Sequence, residues 1–194
     1  MRKKIYSDKH EKPEKIEQNK VKEIAGLIIY CLIVIVAMFL IIKYVGQRTV
    51  VMGHSMEPTL QDSDNLITDK ITYRFKDPKR FDIVVFPFKE NTSTLLIKRI
   101  IGMPGETVQI IGGEVYINGY KLEDTYGNAV MTDPGLAADP IVLKKDEYFV
   151  LGDNRNNSTD SRFESVGNIH RSEIIGRAWL RVWPLNKFSL LKHQ

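Results

Sequence analysis

A serine hydroxyl becomes a nucleophile only when a neighbouring group takes its proton. Ser55, in Gly53-His54-Ser55-Met56-Glu57-Pro58-Thr59, is the serine whose setting suggests chemistry, and the chain offers few bases for it. The four histidines are His10, His54, His170 and His193. His10 belongs to a charged N-terminal tail and His193 stands beside the C-terminus. His54 adjoins Ser55, and neighbours on extended chain point to opposite faces, so it is poorly placed as the base. His170 sits in a polar context, Gly167-Asn168-Ile169-His170-Arg171, with no hydrolase signature around it. No His-Glu-x-x-His and no cysteine pair is present, which argues against zinc.

Lysine is the other candidate. Lys98 lies in Thr94-Leu95-Leu96-Ile97-Lys98-Arg99-Ile100-Ile101-Gly102-Met103-Pro104-Gly105-Glu106. On a strand, Leu96, Lys98 and Ile100 share one face. An ammonium between two apolar side chains there would be desolvated, which lowers its pKa. A free lysine is only about 0.1 % neutral near neutral pH, and a downward shift of a few units would make it a competent base. Taken alone, the position reads better as a lysine snorkelling from a strand edge. A third polar cluster, Gly152-Asp153-Asn154-Arg155-Asn156-Asn157-Ser158-Thr159-Asp160-Ser161-Arg162, follows the apolar stretch Tyr148–Leu151. It suits either a surface turn or a hydrogen-bonded platform that orients a base; composition does not choose.

The elements that must position these residues are short and apolar. Arg48-Thr49-Val50-Val51-Met52 reads as a strand leading into the Ser55 turn, and Pro58 stops a helix from running through the motif. Residues 65–68, 82–86, 95–101, 107–111, 114–117, 147–151 and 178–182 are further short segments bounded by turns. Asn118-Gly119 between Val115-Tyr116-Ile117 and Tyr120-Lys121-Leu122 is the favoured two-residue hairpin signal. No long helical period follows residue 43. These patterns predict a mainly β, antiparallel domain over 44–194. Residues 125–140, with two prolines and no strand pattern, are expected to form an exposed loop.

Ahead of this domain, Ile24 to Ile42 carries no charge in 19 residues, enough for one bilayer crossing at helical rise. The run exceeds a signal-peptide core and no small-x-small site follows it. The expected organisation is a cytoplasmic basic tail over 1–23, a transmembrane anchor over 24–43 and an extracytoplasmic domain over 44–194. The twenty residues before the run hold six Lys/Arg and the twenty after it two, placing the N-terminus in the cytoplasm. The tail has eight Lys/Arg against five Asp/Glu, so it carries most of the net +4. The main domain is left nearly neutral, without the basic surface that nucleic acid requires. The single cysteine, Cys31, lies in the apolar run, so no intrachain disulfide forms.

Three blocks in order after one anchor, Gly-x-Ser-Met-x-Pro-Thr, Ile-Lys-Arg-Ile-Ile-Gly-Met-Pro-Gly-Glu and Gly-Asp-Asn-Arg-x-Asn-Ser-x-Asp-Ser-Arg, closely resemble type I signal peptidases of the short Gram-positive form. Arg80-Phe81-Asp82-Ile83-Val84-Val85-Phe86 and Gly176–Pro184 resemble two further blocks, and the likeness spans roughly residues 24–186. It implies a membrane-bound serine endopeptidase that removes signal peptides from exported preproteins, with Ser55 as nucleophile and Lys98 as general base. It further implies that Ser158 hydrogen-bonds the lysine amine, that Asp160 braces the site through Arg162, and that Asp153 pairs with Arg99. Cleavage after small residues of the Ala-x-Ala type is implied, with apolar residues flanking the dyad, by position Val51, Met56 and Ile97, lining shallow pockets. The expected partners are preproteins and the lipid bilayer, with a monomeric enzyme and neither metal nor organic cofactor.

The chain departs from the family's pattern at three positions: Gly53, where some members have a hydroxyl that helps the oxyanion hole; Phe81, where glycine is usual; and Asn156, where aspartate is usual. Three other readings compete. A tethered β module that binds without cleaving would have lost the dyad. A penicillin-binding-type enzyme needs Ser-x-x-Lys on a helix, matched only at Ser189–Lys192. A self-cleaving repressor would need a DNA-binding domain, for which there is no room.

Overall fold

In the computed structural model, residues 13–44 and 46–191 are described. The chain divides between Lys43 and Tyr44 into two units. The first is one long helix, α1 (Pro13–Tyr44), whose stretch Lys22–Leu40 has a mean hydropathy of 2.7 and is long enough to cross a membrane. Its apolar side chains, Ile24 through Leu40, are exposed, as a helix surrounded by hydrocarbon requires. The helix starts eleven residues before Ile24, inside the stretch expected as a basic tail over 1–23. Glu, Lys and Gln are good helix formers and Pro13 suits a first turn. Adding them to a nucleated helix therefore costs little.

Among its described residues the second unit has twelve strands: β1 (Gly46–Val50), β2 (Asn65–Asp69), β3 (Ile83–Phe88), β4 (Asn91–Gly102), β5 (Thr107–Ile111), β6 (Glu114–Ile117), β7 (Tyr120–Lys121), β8 (Ile141–Val142), β9 (Glu147–Leu151), β10 (Ile169–His170), β11 (Gly176–Trp183) and β12 (Ser189–Leu190). The larger sheet runs β1-β2-β11-β3-β4-β9-β10, with β12 added to β11, and the smaller runs β7-β6-β5-β8. Every pairing is antiparallel. The mainly β, antiparallel fold expected from the turn-bounded segments is what forms. Asn118 (φ 52°) and Gly119 (φ 84°) make the turn of the β6–β7 hairpin, both in the left-handed region that this tight connection demands.

Three apolar clusters hold the sheets. One gathers Val51, Met56, Leu60 and Ile97 beneath the Ser55 turn. Another packs Val84, Phe86 and Ile100 with Tyr148 and Val150, and takes Leu96 at its margin. The third joins the smaller sheet to Ile101, Phe149 and Leu151. The stretch 125–140 corrects the expectation of a plain exposed loop. Much of it is exposed, but Met131 and Ala137 are buried in that third cluster, and residues 135–138 form a short 3-10 turn. Two apolar residues six apart in a polar stretch have no period to announce them, yet they pin the segment to the fold.

Candidate active site

Lys98 reaches the site through register. On β4, Arg99 pairs with Leu151, the last residue of β9, while Lys98 pairs with Val84 of β3. The lysine therefore stands where β9 gives way to the polar run that begins at Gly152. Its side chain is buried, with 3 % of the residue exposed, and its Nζ lies 2.9 Å from Ser55 Oγ and 3.2 Å from the carbonyl of Ile97. Burial pulls its pKa from 10.5 down to about 8, against the opposing pull of Asp160 and Asp153. Desolvation wins because both carboxylates are already engaged.

Those engagements are the two ion pairs that the blocks implied. Arg99 donates Nε to Asp153 Oδ1 (2.8 Å) and Nη2 to Oδ2 (2.6 Å), and neither side chain is exposed. Arg162 grips Asp160 in the same two-pronged way, at 2.8 and 2.9 Å. Planar guanidinium and carboxylate suit this geometry, and a buried pair survives only when its remaining groups are also satisfied. They are: Asp160 Oδ2 accepts the Gly152 N–H, and Arg162 donates to the carbonyls of Arg155 and Asp133. Arg99 Nη1 donates to the Phe81 carbonyl (2.8 Å), and Thr59 Oγ1 donates to Asp153 (2.6 Å). The run 152–162 is thus a platform held by buried side chains, Asp153, Arg155, Asp160, Ser161 and Arg162, while Asn156, Asn157 and Thr159 stay exposed.

Ser158 differs from the implied arrangement. Its Oγ is buried but has no hydrogen-bond partner, so the bond to Lys98 is not formed. The amine is turned toward Ser55 and Ile97 instead. Packing brings Ser158 to the platform: a Cβ at Gly152 would collide with both Ser158 Oγ and the Ser55 carbonyl oxygen. Only glycine lets the nucleophile turn lie this close.

The nucleophile turn is closed locally by Glu57 N–H on the His54 carbonyl (3.2 Å) and Leu60 N–H on that of Met56 (2.9 Å). No described residue accepts a hydrogen bond from the Ser55 N–H. Gly53, with φ +83°, donates its own N–H to Asp62 Oδ1 (2.7 Å). His54 is exposed and bonded to Glu57, whose carboxylate raises its pKa. It does not serve Ser55. His170 bonds Asp146 at 3.2 Å. His10, Lys192 and His193 lie outside the described residues, and Ser189 is on strand β12, not on a helix.

Val51, Met56 and Ile97 come together in one buried cluster beside the dyad. Phe81 explains why its position favours glycine: its φ is +69°, a conformation costly for any residue with a Cβ. The phenyl ring is buried against Tyr126 at 5.2 Å, and the Tyr126 ring in turn lies 3.6 Å beneath the Arg99 guanidinium. Asn156 uses its amide to hold the 125–140 segment, accepting from Thr132 N–H (2.9 Å) and donating to the Val130 carbonyl (3.0 Å). The sequence reading missed Asn154, which donates its N–H to the Ser55 carbonyl and Nδ2 to that of His54, both at 3.1 Å. Nothing in local sequence signals a bond across a hundred residues.

Among the described residues, no cluster of His, Cys, Asp or Glu is arranged to hold a metal ion. What the site can do is move one proton between a half-buried hydroxyl and an amine sealed from water.

Known proteins are similar to this chain in sequence. A family model described as signal peptidase, peptidase S26, matches residues 24–183. The chain is 44 % identical over 155 residues to a signal peptidase I of Leptolyngbya laminosa, covering 76 % of this chain and 74 % of that one. It is 35 % identical over 183 residues to signal peptidase I P of Bacillus subtilis subsp. natto, covering 91 % and 98 %. A crystal structure of a signal peptidase I from Enterococcus faecalis aligns at 34 % identity and a TM-score of 0.44, covering 53 % of this chain and 97 % of that one.

Proposed function

The chain belongs to the signal peptidase family, peptidase S26, and from that premise we propose that it removes signal peptides from exported preproteins by a Ser55/Lys98 dyad. The observation that carries the reading is the 2.9 Å approach of the buried Lys98 Nζ to the half-buried Ser55 Oγ. In the neutral state the amine lone pair accepts the Ser55 O–H, while Ile97 O takes one amine hydrogen. Ser55 Oγ attacks the scissile carbonyl as its proton passes to Nζ. The oxygen that gains charge is met by the unengaged Ser55 N–H. The ammonium keeps one N–H on the Ile97 carbonyl and presents the proton it has just taken toward Ser55. Lys98 then returns a proton to the leaving amine and draws one from the water that deacylates Ser55.

Small residues at the −1 and −3 positions are part of this reading, with the apolar side chains Val51, Met56 and Ile97 packed in one cluster near the dyad. The anchor gives the enzyme its address. Ser55 is thirteen residues beyond Ile42, a span of at most about 45 Å fully extended. Confining enzyme and signal segment to one bilayer surface raises their effective concentration. The lysine-rich tail places the N-terminus inside and the catalytic unit outside.

Incubation of the detergent-solubilised enzyme with a signal-peptide-bearing precursor, with the cut mapped by N-terminal sequencing, tests this. One cut after a small-x-small triplet, absent in Ser55→Ala, is expected. Processing that persists in Ser55→Ala removes the assignment.

A further inference from the structure

The catalytic arrangement leaves one question open: what holds the Ser55 N–H in the direction the oxyanion needs? A trans peptide fixes its N–H and its C=O on opposite edges of one plane. The Ser55 N–H belongs to the same peptide as the His54 carbonyl, so whatever grips that carbonyl also aims that N–H. Two groups do so. Glu57 N–H closes the turn from within, at 3.2 Å. Asn154 Nδ2 holds it from the platform at 3.1 Å, and Asn154 N–H holds the next carbonyl, that of Ser55, at 3.1 Å. The turn's own bond gives its shape; the asparagine sets how that shape sits against Lys98.

The Asn154 amide must face the right way to donate. Arg155 N–H, a donor only, contacts Asn128 Oδ1 at 3.1 Å. That leaves Asn128 Nδ2 to face Asn154 Oδ1, at 3.1 Å. Asn154 Nδ2 is then directed at the His54 carbonyl, an acceptor only. Each amide is used at both ends, and the orientation is fixed from both termini of the chain. Asn128 itself is secured by donating its N–H to the Asp153 carbonyl (3.0 Å). It belongs to the stretch that the sequence left as a loop without a role.

We propose that Asn128 and Asn154 are positioning residues that aim the Ser55 N–H at the oxyanion, Asn154 by clamping the nucleophile turn and Asn128 by fixing the direction of the Asn154 amide. The inference rests on the serine–lysine reading above. It also assigns the Gly53 departure a consequence: without a side-chain donor there, the aim of one backbone donor matters more.

Asn128→Asp keeps an acceptor for Arg155 N–H but replaces the donor to Asn154 with an oxygen, which favours a flipped Asn154 amide. Asn154→Ala deletes the clamp. A lost oxyanion donor costs about 10²- to 10³-fold in kcat, and a misaimed one less. The expected falls in kcat are therefore about thirtyfold for Asn154→Ala and about fivefold for Asn128→Asp, with KM within about twofold. Asn128→Ser, a second variant at an exposed site, should fall between wild type and Asn128→Asp. A peptide aldehyde with small residues at −1 and −3 adds a readout that general loosening would not move. Its carbon bonds to Ser55 Oγ, the carbonyl π pair becomes the oxyanion and the Oγ proton passes to Lys98. Its affinity should weaken in step with kcat, while affinity for an uncleaved substrate-length peptide stays constant. Folded variants with wild-type kcat, or with the loss confined to KM, overturn the proposal. Failure of the unsubstituted enzyme to cleave overturns the serine–lysine reading instead.

Discussion

Lys98 and His170 stand on the two strands that flank β9, β4 on one side and β10 on the other. By residue type the histidine is the ordinary choice for a base near neutral pH, and it has a carboxylate partner in Asp146. Yet its side chain is 45 % exposed and its partners are acidic, while Lys98 is sealed beside a serine. One strand is thus flanked by a residue of suitable type that faces solvent and by a residue of less usual type that is buried against a serine. In the proposed mechanism desolvation makes Lys98 a base, protected by two arginines that neutralise the nearby carboxylates.

The sharpest way to break this comparison is to exchange the roles. Lys98→Ala should lower kcat/KM by about 10²- to 10⁴-fold, the range for a lost general base, with an unchanged circular dichroism spectrum. Next in size is Arg162→Met, which leaves Asp160 buried without its partner. Breaking such a pair costs about 3–5 kcal/mol, measurable as a lower denaturant midpoint. It should also move activity: an unpaired anion favours the ammonium of Lys98, so the pH at which activity rises should shift upward. A Phe81→Gly exchange sets two effects against each other. Relief of the positive φ is worth about 1–2 kcal/mol, and loss of the buried ring costs about 3–5 kcal/mol. Burial wins, and thermal denaturation should show net destabilisation of about 2 kcal/mol. The smallest effect completes the comparison. His170→Ala should leave kcat/KM within about twofold, because an exposed surface pair contributes little.

How much of this was written in the sequence differs between the two sides of β9. The strands with a repeating apolar pattern were legible, as was the Asn118-Gly119 turn, because their signals lie within a few residues. Of the two-residue strands, β7 is announced by that turn, whereas β8, β10 and β12 carry no pattern and exist only through their partners. At the site, the motif blocks named Ser55, Lys98 and the arginine–carboxylate pairs. They also implied a Ser158 bond that the structure does not contain, since the direction of a lysine amine depends on competing acceptors that no motif encodes. Asn128 and Asn154 were invisible as a pair: they touch across 26 residues, and exposed asparagines in turns are commonplace.

The most direct test of the account is the pH dependence of kcat/KM for cleavage of a signal-peptide substrate, measured on the wild type and on His170→Ala. A neutral Lys98 is the active form, so activity should rise with pH through one apparent pKa near 8, with the same profile in both proteins. A rise centred in the histidine range that disappears in folded His170→Ala would contradict the lysine base.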